Sequence, residues 1–134
     1  MRDLVARTRE TVTSRLVYVR EAHALDSTSP LVGAASPLVE QPLHLGERRL
    51  VARACSEALD LGMEILVDDV DDQAARSFGG WPDRLVIIGT NGRVLFQSAP
   101  GPWGFDLDEL ESALGALLAA SQQGESTALP ALGG

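Results

Sequence analysis

Leu16-Val17-Tyr18-Val19-Arg20-Glu21-Ala22-His23 decides how this chain is read. Leu16–Val19 is an unbroken apolar run, the pattern of a short central strand covered on both faces. It runs directly into a glutamate, a small residue and a histidine. A Glu and a His at a strand end form a proton-handling pair near neutral pH. Neither a convincing nucleophile nor a metal-ligand set accompanies them in the sequence.

Working outward, the bulk properties narrow the field. At 134 residues the chain suits one domain with a core large enough to be stable alone. No apolar run approaches the roughly 18 residues of a membrane-spanning helix, and no secretory leader pattern opens the sequence. A cytosolic location is the expectation, with no membrane partner. The net charge of −8 disfavours a nucleic-acid partner. Every basic residue is Arg, which suggests a GC-rich, bacterial coding sequence. Cys55 is the single cysteine, so neither an internal disulfide nor a cysteine metal cluster is available.

Around the strand, Leu4, Val5, Thr8 and Val12 recur at helical spacing, predicting a helix within residues 2–15. After His23 comes a turn-rich stretch that includes Asp26-Ser27-Thr28-Ser29-Pro30 and Gly33–Pro37 and closes at Pro42. About 20 residues without regular structure is long for a compact domain and often functional. A second helix is predicted from Leu45 to Leu61, with Leu50, Val51, Ala54, Ala58 and Leu61 on its apolar face and Gly62 as the stop. Glu64–Val67 reads as a strand and Arg84–Ile88 as another. A short helix between them is capped by Asp71 or Asp72 and ends at Gly79. Asn91-Gly92 marks a hairpin turn into Arg93–Gln97. Asp106 and Glu109 form a capping box for a last helix, buried through Leu107, Leu110, Leu114, Leu117 and Leu118. The order α-β-α-β-α-β-β-α is that of a thioredoxin-like α/β fold, a mixed sheet flanked by helices. Such a fold normally opens with a further strand and a nucleophile at the first helix N-terminus. Both are expected to be missing here.

Residues 16–26 resemble the "VYI-x-EAH-x-x-D" segment of the iodothyronine deiodinase family. Further matches follow in order: Gln41-Pro42 with Glu47-Arg48, Leu66-Val67-Asp68-Asp69 with a "VVD" strand end, and Pro82–Ile87 with "PERLYVI". Gly92–Phe96 and Gly101-Pro102-Trp103-Gly104-Phe105 resemble "GR-x-x-Y" and "GPWGY". The resemblance covers residues 2–120. It implies reductive dehalogenation: a selenocysteine or cysteine attacks the iodine on an aromatic ring, and a thiol reductant regenerates it. The family's nucleophile lies in a "Cys-Thr-selenocysteine-Pro-Pro-Phe" segment upstream of the first helix. The expectation is therefore a chain truncated at its N-terminus and inactive as written; a degenerate paralogue is the rival explanation. No cofactor is expected to be bound.

The resemblance assigns His23 to substrate or proton handling, the alternative being a structural His bonded to a loop carbonyl. Glu21 orients or charges it, or is a surface carboxylate. His44 reads as an exposed residue near a helix start, and Cys55 as a buried, inert thiol. Pro82 falls where the fold places its cis-proline, and the sequence leaves the isomer of Trp81–Pro82 open. Trp103 and Phe105 line an aromatic pocket or plug the sheet end. Phe105 replaces the family's usual Tyr, and Ser27-Thr28 replaces its Gly-Trp, departures that weaken iodothyronine itself as the substrate. Asp68, Asp69, Asp71 and Asp72 lack the spacing of a calcium loop, so no metal site is assigned. The reading is a domain over residues 1–120 with a disordered tail over 121–134, acting on a small aromatic or halogenated substrate with a thiol reductant, and a homodimer by resemblance. Two alternatives stand beside it: a peroxiredoxin-like thiol reductase, and a non-catalytic binding module using the Pro82 and Trp103 surface.

Overall fold

The computed structural model describes residues 1–28, 30 and 39–126. Gly33–Pro37 and the tail at 127–134 lie outside them. The elements run α1 (Arg2–Thr8), β1 (Arg15–Tyr18), α2 (Leu45–Leu59), β2 (Glu64–Val67), α3 (Gln73–Phe78), β3 (Val86–Ile88), β4 (Val94–Gln97) and α4 (Leu107–Ser126). This is a mixed α/β fold in the order the sequence predicts. β1 and β2 pair in parallel, Leu16 opposite Ile65 and Tyr18 opposite Val67. β3 and β4 pair antiparallel, with a bulge between Ile87 and Ile88 that leaves Leu95 unmatched. Among the described residues no ladder joins the two pairs, so the mixed sheet is present as two separate two-stranded ladders.

The helices differ from their predicted bounds for local reasons. α1 ends at Thr8, where the amides of Thr11 and Val12 both donate to the Thr8 carbonyl. The β-branched residues beyond it are poor helix formers. α4 continues past Ser121 to Ser126, helix where the sequence pattern placed a disordered tail. Asp106 starts it by accepting from the amides of Asp108 (2.9 Å) and Glu109 (3.1 Å). Leu4, Leu85, Leu110 and Leu114 form the core beneath α1 and α4, with Ile87, Phe96, Leu107 and Leu118 packed on it. Each fully buried leucine contributes about 2 kcal/mol.

Two expectations are corrected. β1 is not covered on both faces: Val17 is 42% exposed and its neighbour Leu66 41%. α2 packs on this pair from one side, and Arg15 and Glu64 share the open face with them as an ion pair at 2.8 Å. The apolar face of α2 is also not where the sequence puts it. Leu50 is 68% exposed, and Ala54 and Ala58 are exposed too. The inward stripe is Arg48 and Ala52, with Cys55 and Ser56 partly buried behind them.

The reason is Arg48, 2% exposed. Its Nη1 donates to the carbonyls of Asp68 (3.3 Å) and Asp69 (2.6 Å) and to Asp72 Oδ1 (3.0 Å). These groups lie at and just beyond the end of β2, so the guanidinium fixes which side of α2 faces the strands. Asp68, also buried, gives both carboxylate oxygens to backbone amides, those of Asp69, Ala74 and Ala75, and so secures the start of α3.

Candidate functional site

The candidate site lies at the carboxyl end of β1, where open α/β sheets gather their ligands and catalytic groups. Tyr18 is the last residue of β1, and its hydroxyl donates to Glu21 Oε1. Glu21 and Tyr18 are both half-buried, while His23 is exposed. Burial raises the Glu21 carboxyl above its ordinary value of 4.5, and the nearby His23 charge pulls it back. Glu21 is therefore bonded to a phenol and lies within the field of an imidazole, a set of groups able to handle a proton. The loop after His23 is closed at its neck by the Leu25 amide on the Val39 carbonyl (2.9 Å) and by the Gln41 amide on Asp26 Oδ1 (2.8 Å).

Cys55 approaches the same group from α2. Its thiol is raised above 9.0, first by burial and then by the charge of Glu21. A thiol held protonated in this way is a poor nucleophile. His44 is the exposed N-cap residue of α2, where Glu47 Oε2 accepts from the amides of Leu43 (3.1 Å) and His44 (3.3 Å).

The turn before β3 meets β1 here. Arg20 lies over the Trp81 ring, 4.8 Å from its centroid, and the Trp81–Pro82 bond is cis. Pro82 therefore stands on the turn that Arg20 ties to the end of β1. The following loop is held to the same turn by the Gly101 amide on the Asp83 carbonyl (3.0 Å). A side chain at Gly101 would overlap the Asp83 carboxylate, which would have to move to admit it. Beyond it Trp103 is 97% exposed and Phe105 45%.

The structure thus brings Glu21, His23, Tyr18 and Cys55 together and sets Pro82 nearby, with Trp103 and Phe105 facing solvent. Sequence reasoning missed Tyr18 as a partner of Glu21, although the spacing of three residues was in view. It missed Arg20, Arg48 and Trp81 entirely, because periodicity carries no signal for a buried or stacked guanidinium. No group of three or more His, Cys, Asp or Glu side chains among the described residues is arranged to hold a metal ion. No helix among them is long and apolar enough to cross a membrane.

Comparison with known proteins fits this geometry. The family model described as "Iodothyronine deiodinase" matches residues 1–117. The chain is 30% identical over 99 residues to thyroxine 5-deiodinase of Sparus aurata, covering 74% of this chain and 36% of that protein. It is 27% identical over 112 residues to thyroxine 5-deiodinase of Homo sapiens, covering 83% and 35%. It is 24% identical over 104 residues to type I iodothyronine deiodinase of Xenopus laevis, covering 74% and 37%. The chain spans little more than a third of the length of these relatives. They are vertebrate proteins, which lends no support to a bacterial source, and they favour neither the peroxiredoxin-like nor the non-catalytic alternative. Matched over most of its length by that model, the chain belongs to the iodothyronine deiodinase family.

Proposed function

We propose that this chain provides the proton-handling part of a thiol- or selenol-dependent reductive deiodinase. The observation that carries the reading is the Tyr18–Glu21 bond with His23 beside it at the end of β1. In the reaction a selenolate or thiolate attacks iodine on an aromatic ring, taking it as a nucleophile–iodine bond. The carbon–iodine electron pair stays on the ring carbon, which must gain a proton. His23 delivers that proton, and Glu21, itself bonded to Tyr18, holds and recharges the imidazole. A first thiol reductant displaces iodide to give a mixed disulfide or selenenyl sulfide. A second thiol releases the nucleophile and leaves as the reductant's disulfide.

The nucleophile comes from a segment outside this sequence. Support for its place comes from the fold, whose β1–β2 and β3–β4 ladders are separate among the described residues, each with edge strands that a further strand could pair. A strand inserted between β1 and β3 would make one sheet and carry the nucleophile to the Glu21–His23 end. A homodimer and a cytosolic setting accompany this reading.

The test is iodide release from thyroxine with dithiothreitol, using protein extended by the coding region upstream of Met1. His23→Gln should lower kcat by about 100-fold, the usual scale of general acid catalysis, and Glu21→Gln by about tenfold with a displaced pH profile. Unchanged turnover in His23→Gln would remove the assigned role.

A further inference from the structure

A cavity of about 140 Å³ opens beside the end of β1, lined by Arg20, Asp72, Ala75, Arg76 and Trp81. Its electrostatics run against those of the molecule. The chain carries −8 overall, yet this cavity is lined by two guanidinium groups, Arg20 and Arg76, and one carboxylate, Asp72, which the buried Arg48 also holds from behind. Asp72 Oδ1 is already held by the buried Arg48 at 3.0 Å, and its Oδ2 lies 3.9 Å from Arg20 Nε. Arg48 keeps a buried Nε without a hydrogen-bond partner. The exposed Arg76 guanidinium makes no ion pair or hydrogen bond among the described residues. The buried Asp68 at the end of β2 has both oxygens taken by backbone amides.

The walls divide by chemistry. Arg20 rests on the face of Trp81, and a guanidinium stacked on a ring keeps its N–H donors for a planar anion. Arg76 supplies a second fork of donors. Ala75 and the indole supply the apolar side. At this volume the cavity is well below the roughly 300 Å³ that encloses a whole drug-sized ligand. That leaves room for one end of a molecule.

We propose that this cavity binds aryl carboxylates, the carboxylate between Arg20 and Arg76 and the ring against Trp81 and Ala75. The assignment does not depend on the dehalogenation reading. Binding is measured on the chain as it stands, where no nucleophile is needed, so a failed activity assay leaves it untouched.

Trp81 reports on the site once the other indole is removed by Trp103→Phe. Titrating that variant with phenylacetate should change the fluorescence along a saturating curve. Phenylacetamide, which has the ring without the charge, and acetate, which has the charge without the ring, should each bind about tenfold more weakly. Arg76→Gln, at an exposed position, should weaken phenylacetate by about tenfold and leave phenylacetamide unchanged. Equal affinity for phenylacetate and phenylacetamide overturns the anion site, and equal affinity for acetate overturns the aryl class. A non-saturating response to phenylacetate, or an Arg76→Gln variant that binds it normally, overturns the assignment altogether.

Discussion

Glu21 is where one residue most alters what the chain can do. Burial holds its carboxyl above 4.5 against the opposing pull of His23, so the folded chain binds this proton more tightly than the unfolded chain. The resulting stability is fully present below pH 4.5 and is lost as the pH rises through the raised value. The Tm difference between the parent and Glu21→Gln should therefore move against the parent from pH 4.5 to neutrality. Parallel Tm curves across that range would show that the carboxyl does not titrate abnormally. Cys55 reports the same charge from the other side, since Glu21 raises its thiol. Iodoacetamide should label Cys55 more slowly than a free thiol at pH 8 and about twofold faster in Glu21→Gln, because thiolate fraction sets the rate. Equal labelling rates in the two proteins would separate the groups electrostatically. The Glu-x-His spacing and its strand context were legible in the sequence. The tyrosine that completes the trio was not, because a single phenol in an apolar run reads as strand filler.

Among the elements, α2 shows why the apolar pattern misled. Leu50, Ala54 and Ala58 make a plausible hydrophobic stripe, but the helix is turned so that Arg48 and Ala52 face inward. One guanidinium with three acceptors beyond β2 outweighs a weak apolar face built largely of alanine. Arg48→Met should then cost about 3 kcal/mol in urea unfolding, because it strands the Asp72 carboxylate and two carbonyls. Adding Asp72→Asn should recover part of that loss in a double-mutant cycle. An Arg48→Met protein as stable as the parent would leave the orientation of α2 unexplained. By contrast the start and the buried face of α4 were legible, though not its end, since leucines at helical spacing on one face dominate any polar demand. Glu64–Val67 was read to the residue for a similar reason: a glycine before it and aspartates after it leave little freedom.

The whole molecule is two strand pairs clasped by helices. The order of elements was legible, because turn residues and periodicity punctuate it clearly. The division of the sheet was not, because pairing between distant strands depends on neighbours that a local pattern does not encode. Among the described residues β1 and β3 each have a ladder on one side only, and such edges associate when charge no longer keeps molecules apart. The sequence pI is near 4.6. Light scattering should accordingly rise sharply between about pH 4 and 5 and reverse on return to pH 8. A clear monomeric solution at pH 4.6 would mean the edges are protected. Between the halves stands α1, seven residues long. Arg2 grips Asp60 at the end of α2, Arg7 pairs with Glu111 of α4 at 2.7 Å, and Leu4 enters the core between them. Much of the cooperativity of unfolding therefore passes through this helix. If α1 is loosened, a single melting transition should separate into two, the parallel pair opening independently of the hairpin.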